Sequence, residues 1–360
     1  MIRSFRLQNF KCFQDERFEF RPLSLIVGAN GAGKSSLLQG LLVAHQASST
    51  PASYVRLNGP FGLDLGSATD VLCQSSDGSP DIRFEATGDD GATLAWKLDA
   101  QAEELVLHIS EHPESQIDLA YLNAERIGPR ETLNADSAPS DAINVGCRGE
   151  FTAQVLVAHE RTRVPEALRH PNTTENLIQL GKQLELWMGD IAPGIEIRAT
   201  KLPDTSISAL RLKHHGVGTD WLRPPNIGFG ISYALPIIVA GLLARPGSIF
   251  LVENPEAHLH PAGQSRMGRF LATLAAAGIQ VLVETHSDHV LNGVLLATVD
   301  DHPIRHDQVI IQYFHGDPKA ERRAQAIDVN AKGGLSTWPK GFFDQSEKDM
   351  AAILKARRNG

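Results

Sequence analysis

Eight residues, Gly28-Ala29-Asn30-Gly31-Ala32-Gly33-Lys34-Ser35, constrain this chain more than any other segment. They follow the apolar run Leu23-Ser24-Leu25-Ile26-Val27 and lead into Ser35 to Leu42, a stretch with the apolar density of a buried helix. A glycine-rich loop between strand and helix lets successive backbone N–H groups converge on an anion, and the helix N-terminus adds the positive end of its dipole. Asn30, Gly31, Ala32, Gly33, Lys34, Ser35 and Ser36 are therefore the candidate phosphate ligands. In the full G-x-x-x-x-G-K-[ST] pattern the lysine reaches β- and γ-phosphate oxygens, and the hydroxyl at the position of Ser35 ligates magnesium. The bland alternative is a glycine-rich turn capped by serine. A nucleotide site explains the loop and both of its flanks, so ATP and Mg2+ are the expected ligands.

Such a loop belongs to an α/β core, and 360 residues leave room for more than one hydrophobic core. The net charge of −8 excludes a chain that neutralises phosphate backbone over its whole surface, so any DNA contact is expected to be local. Arg3, Arg6, Lys11, Arg17 and Arg21 cluster at the start and further basic residues lie between Arg161 and Arg169, but acids interleave with both groups. Three cysteines at irregular spacing, Cys12, Cys73 and Cys147, give neither a disulfide framework nor a zinc ribbon. No apolar run approaches the ~20 residues of a membrane span, and the N-terminus alternates instead of showing a signal peptide. A cytoplasmic protein without membrane contact is the expectation.

The text of the chain changes three times. Residues 1–130 read as the first half of the core, with strands around Phe5 and Phe18 and an antiparallel meander from Asp81 to Ser110. Residues 131–215 hold a Ser/Asp/Ala/Pro-rich loop from Ala135 to Ala142, then an expected α-helical insertion from about Gly149 to Ile191. Its helical spacing is clearest at Leu177, Leu180, Leu184, Trp187, Met188 and Ile191. Residues 216–315 resume the α/β text with strands at Ile249–Val252 and Val281–Val283 around a helix, and 316–360 form a tail domain. There, Trp338, Phe342 and Phe343 precede a short amphipathic helix expected from Ser346 to about Lys355. They either seal the tail's own core or dock a partner.

A phosphate loop needs a second strand ending in an acid that holds magnesium, and Ile249-Phe250-Leu251-Val252-Glu253 supplies it. The continuation, Asn254-Pro255-Glu256-Ala257-His258-Leu259-His260-Pro261, resembles a stretch of the ABC-type ATPases that include the RecF, SMC-head and OLD proteins. Glu284-Thr285-His286-Ser287 looks like their switch-histidine segment, and Asn9-Phe10-Lys11 resembles their opening strand and turn. The segment Gly333 to Gln345 and the Glu253-Asn254 variant are similar to a group of bacterial AAA-family predicted ATPases that end in a small uncharacterised domain. The resemblance implies a P-loop ABC-type ATPase core in which His286 reaches the γ-phosphate. It also implies a signature loop that completes the ATP site of a second subunit. Gly228, Gly230 and Ser232 are the candidates for that loop, the alternative being an ordinary turn with Ser232 as helix cap.

The departures from the family pattern bear on catalysis. Most relatives end the acidic strand in two carboxylates, but here the second is Asn254, an amide that orients water without accepting a proton. Slow hydrolysis follows unless another acid acts. Glu256 is the candidate, against a structural role capping the next helix or bridging to the other subunit. His258, His260, His286 and His289 have spacings that zinc can use, but phosphate and backbone contacts are the preferred reading. The interval between the two core halves holds no long heptad run, and the residues after His286 are too few for the nuclease domain of OLD proteins, so intrinsic nuclease activity is not expected.

Two functions remain. The first is an ATPase whose homodimer sandwiches two ATP molecules, working in DNA maintenance or anti-phage defence beside a separately encoded effector such as a nuclease. The second is a nucleotide-gated scaffold with negligible hydrolysis that holds and releases an effector.

Overall fold

A computed structural model describes residues 1–75, 78–136, 144–214, 220–299, 303–316 and 323–359. Most of the expected loop Ala135 to Ala142 lies outside the described residues, as does the expected boundary near residue 215. In chain order the first half contains β1 (Ile2–Phe10), β2 (Phe13–Glu19), β3 (Leu23–Gly28), α1 (Lys34–Ser49) and β4 (Tyr54–Arg56). It continues with β5 (Asp81–Gly88), β6 (Thr93–Asp99), β7 (Val106–Glu111), β8 (Leu119–Leu122) and β9 (Thr132–Asn134). There follow α2 (Thr152–His159), α3 (Leu180–Ile191), β10 (Ile195–Lys201), β11 (Ile207–His214), α4 (Phe229–Leu243) and β12 (Ile249–Glu253). The last third adds α5 (Pro261–Ala276), β13 (Gln280–Glu284), α6 (Asp288–Ala297), β14 (Val309–Phe314), β15 (Ala324–Asp328) and α7 (Gln345–Asn359).

The central sheet runs β15-β14-β3-β13-β12-β8, and every pairing in it is parallel except β14–β15. Strands buried on both faces need continuous apolar text, which Leu23–Val27, Phe250–Val252 and Val281–Val283 provide. Alternate residues feed two cores. Leu25, Phe250 and Val283 join the core shared with α3 to α6, whereas Ile26, Leu251 and Leu282 join the core shared with α1 and the meander. The second sheet, β2-β1-β5-β6-β7-β4, is antiparallel as the alternating text of Asp81 to Ser110 predicts. α1 is buried between the two sheets, and a Cβ added at Gly40 would meet Leu7 Cδ2 at 2.4 Å.

Two expectations need correction. The segment from Gly149 to Ile191, expected to be α-helical, holds α2 and α3, and the connecting segments of 131–215 on either side of it form a three-stranded antiparallel sheet, β10-β11-β9. Residues 160–179 between the two helices hold only a short turn of 3-10 helix. Leu177 lies before α3, its N–H bonded to the Thr174 carbonyl. The tail 316–360 is not separate from the core, because β15 extends the central sheet through β14. Phe342 is 1% exposed and packs edge-on against Tyr313 of β14, while Trp338 is 56% exposed. The helix expected from Ser346 spans Gln345–Asn359.

Candidate functional site

The loop after β3 adopts backbone angles that side chains resist. Gly28 has φ +135°, and a Cβ there would sit 2.2 Å from the Phe314 carbonyl oxygen of neighbouring β14. Gly33 has φ +112° and would meet Cys12 Sγ at 2.8 Å. Glycine is therefore required at both ends of the loop, and the stretch Ala29 to Gly31 between them stays open to solvent. Lys34 begins α1 and is 4% exposed, its Nζ donating to the carbonyls of Gly28 at 3.0 Å and Ala29 at 2.9 Å. Burial lowers its pKa, partly offset by the negative charge of Glu284, whose Oε1 lies 3.9 Å away. Ser35 is exposed and its hydroxyl bonds to the Glu284 carboxylate, whereas the Ser36 hydroxyl bonds to the Cys12 thiol.

β12 brings Glu253 to the same end of the sheet. Its carboxylate accepts a hydrogen bond from Tyr121 Oη at 2.8 Å and another from the backbone N–H of Ala124. Burial raises the Glu253 pKa and these bonds oppose the rise. Burial, then the Glu253 charge, pushes the Tyr121 phenol upward, so it remains a donor. Asn254 follows in the left-handed region, φ 44°, a conformation that asparagine tolerates better than glutamate. Its N–H donates to the Glu284 carbonyl at 2.8 Å.

Glu256 does not stand free beside the loop. Its Oε2 accepts from Thr285 Oγ1 and its Oε1 from the backbone N–H of His286, both at 2.8 Å, so it ties the acidic turn to the switch turn of the same chain. The cap of α5 is His260, whose Nδ1 accepts from the Ala262 N–H. His286 itself is exposed. Partial burial of the ring and then the charge of Lys34 lower its pKa.

The candidate signature residues start α4. Its cap is Gly228 rather than Ser232, and Ser232 lies inside the first turn beside Gly128 and Arg130. Gly230 packs on its own chain, since a Cβ there would be 2.6 Å from the His258 carbonyl oxygen. Gly228 is exposed and Phe229 is 56% exposed. The four histidines do not converge. His258 packs on Phe229 and Tyr233, His289 faces Asp288, and no three His, Cys, Asp or Glu side chains group to hold a metal among the described residues.

Three site residues escape a reading of sequence. Glu284 ends β13 beside Lys34, and its pKa is pushed up to about 7 by burial and by the Glu253 charge. Tyr121 is the penultimate residue of β8, which pairs with β12. Arg126 is 2% exposed and donates to the carbonyls of Asn123 at 2.8 Å and of Glu253 and Asn254, each at 2.6 Å. Its guanidinium also lies 5.4 Å from the Tyr233 ring centre on α4, and burial brings its pKa down to about 10. A basic residue in the turn after an apolar strand, Arg126-Ile127-Gly128-Pro129, is the only local signal for it.

The oxygen donors Ser35, Glu253 and Glu284 suit a hard divalent cation. Glu284 Oε2, buried without a partner, is the observation that leaves room for one.

Residues 4–134 match a model described as an AAA domain, and residues 174–292 match another described as an AAA domain, putative AbiEii toxin, type IV TA system. Two separate stretches of the chain thus match AAA-domain models. Residues 304–353, which follow them, match a protein of unknown function, DUF3696. The OLD nuclease of Thermus scotoductus (strain ATCC 700910 / SA-01) is 21% identical over 360 aligned positions that cover 89% of this chain. The chain spans 65% of that relative's length. Among solved structures, the SMC head domain from Thermotoga maritima is 11% identical with a TM-score of 0.45, covering 91% of this chain and 99% of that one. An SMC head bound to the C-winged helix domain of ScpA is 14% identical with a TM-score of 0.46, covering 91% and 98%. No helix among the described residues is long and apolar enough to cross a membrane.

Proposed function

We propose that the chain binds ATP with Mg2+ at the ends of β3, β12 and β13 and hydrolyses it slowly, two copies closing around two nucleotides. The observation that carries this reading is the convergence of a buried Lys34 with Ser35, Glu253 and Glu284 below an open glycine loop. Asn30 to Gly33 offer backbone N–H groups to the phosphates, and Lys34 exchanges its two loop carbonyls for phosphate oxygens. Mg2+, when bound, draws charge from the β- and γ-phosphate oxygens. Ser35 and Glu253 would hold it, with Tyr121 fixing the Glu253 carboxylate. His286, exposed at the end of the sheet, orients groups at the γ-phosphate, and Glu256 keeps the His286 turn in place instead of activating water. Asn254 completes the departure from a second carboxylate, which supports slow turnover.

The exposed start of α4, Gly228 and Phe229, is the surface we assign to the second copy. Arg126 links the carbonyls of Glu253 and Asn254 to Tyr233 of α4, so a change at the acidic turn reaches the surface that faces the partner. A role in DNA maintenance or anti-phage defence beside a separate effector draws support from the OLD nuclease relative. Among the basic residues at the start of the chain, Arg6, Arg17 and Arg21 are paired with Asp15, Glu85 and Asp328, which favours a protein effector over an extended DNA face. The scaffold reading is favoured by Asn254 and by the engagement of both Glu256 oxygens.

Binding of a fluorescent ATP analogue, phosphate release and light scattering test the proposal together in wild type and Lys34→Ala. Lys34→Ala should weaken binding about tenfold or more and abolish nucleotide-dependent mass change. Unchanged binding in that variant refutes the site. Tight binding with wild-type phosphate release no higher than that of Lys34→Ala selects the scaffold.

A further inference from the structure

Glu284 and Glu253 are directly opposed in the parallel pairing of β12 with β13. Residues in register on adjacent parallel strands project to the same face, so two carboxylates stand side by side where the strands meet the phosphate loop. Glu284 is only 6% exposed. One of its oxygens lies 3.9 Å from Lys34 Nζ, the Ser35 hydroxyl donates to the carboxylate, and Oε2 is buried without a partner. Asn254 Oδ1, on the residue bonded to the Glu284 carbonyl, is a second buried acceptor without a partner.

This arrangement is costly for a protein without ligand. A buried acceptor left unpaired has given up its hydrogen bonds to water without replacement, at a greater cost when charged, and two neighbouring carboxylates repel. Lys34 offsets part of the charge, but it is the residue that a phosphate would draw away. Once Lys34 turns to phosphate, Glu284 loses its counter-charge and needs another. A compact cation that takes only oxygen ligands meets the need while leaving the carboxylate ionised, whereas a proton is the partner left to it when ATP binds without metal.

We propose that Glu284 is a magnesium-holding residue, acting with Glu253 and Ser35 and supplying the second carboxylate that Asn254 does not. The assignment rests on the nucleotide-site reading. It makes metal and nucleotide binding mutually dependent: ATP without metal strips Glu284 of Lys34, whereas ATP with metal restores its partner.

A Mg2+ titration of fluorescent ATP analogue binding, begun in EDTA, tests this on the full chain. Glu284→Gln should move the Mg2+ concentration for half-maximal effect upward about tenfold or more, the scale of losing a supporting metal contact. It should leave metal-free nucleotide binding as tight as in wild type, or tighter. An unshifted Mg2+ midpoint overturns the assignment. That holds if only phosphate release falls, which would mark a water-activating base, and if only the melting temperature falls, which would mark a brace for Lys34. Should Glu284→Gln fail to fold, Glu284→Asp keeps the charge on a shorter side chain, and an unshifted midpoint there is equally decisive. Wild-type protein that binds no analogue in either condition defeats the nucleotide site and this assignment together. Metal-dependent wild-type binding with an unaltered variant defeats Glu284 alone.

Discussion

The phosphate end of the central sheet and the insertion lobe both bury polar side chains, and they treat them in opposite ways. In the lobe, Gln183 is fully buried and fully used: Oε1 accepts from the His170 N–H at 2.7 Å, and Nε2 donates to Thr173 Oγ1 and the Leu177 carbonyl. His170 Nδ1 accepts from the Asn172 N–H, which directs its Nε2 to Asp190, and Trp187 Nε1 donates to the Leu168 carbonyl. At the phosphate end, by contrast, Asn123 Oδ1, Arg126 Nε, Asn254 Oδ1 and Glu284 Oε2 are buried without partners, the only such side-chain atoms among the described residues. Satisfied polar groups specify a packing and need nothing further. The orphaned ones gather beside a carboxylate pair, where the proposed metal and nucleotide would bring partners.

Substitutions that separate the two regions test that contrast. The largest effect is expected from Arg126→Ala, which strips buried carbonyls of Asn123, Glu253 and Asn254 of their donor. Denaturant unfolding should show a loss of about 3 kcal/mol or more, together with weakened nucleotide binding. A loss below about 1 kcal/mol would mean that the turn is held by other contacts. Gln183→Leu should cost about 1–3 kcal/mol in the same measurement, because its partners lose their bonds inside the lobe. Its nucleotide affinity should stay at the wild-type value, and a drop would join the two regions that the contrast keeps apart.

The smallest effect concerns acid. The hydrogen bond from His170 lowers the Asp190 pKa below the ordinary carboxylate value, with burial opposing. A depressed folded-state pKa contributes stability that is present above the unfolded value, about 4, and is lost as pH falls through the folded one. Asp190 is 35% exposed at the side chain, so the contribution is under about 1 kcal/mol. Unfolding midpoints measured between about pH 3 and 6 should fall less steeply in Asp190→Asn than in wild type. Equal slopes would remove the pair from the account of the lobe.

Much of the core was legible because its signals are local. The β3-loop-α1 unit is one contiguous pattern, and the apolar runs of β12 and β13 are long enough to demand burial on both faces. The insertion was harder to read. Helical spacing at Leu180 to Met188 is strong, but β10 and β11 are half-buried strands whose alternation, as in Ile195-Glu196-Ile197-Arg198, is brief. The tail was read as a separate unit because nothing in its text says that β15 finds an open edge on β14.

Residues along the chain determined that a glycine-rich loop joins β3 to α1, that Lys34 and Ser35 begin the helix after it, and that Glu253 ends a second core strand, since each depends on neighbours a few positions away. Which acid accompanies Glu253 was decided only in three dimensions. Glu256 follows Glu253 closely in sequence, yet the left-handed turn at Asn254 carries it to the backbone of His286. Glu284 lies far along the chain, yet the parallel register of β12 with β13 sets it beside Glu253, and the β3–β13 pairing brings Lys34 to it. Strand register is a property of the whole sheet, settled by burying both faces at once, and no short stretch of sequence contains it.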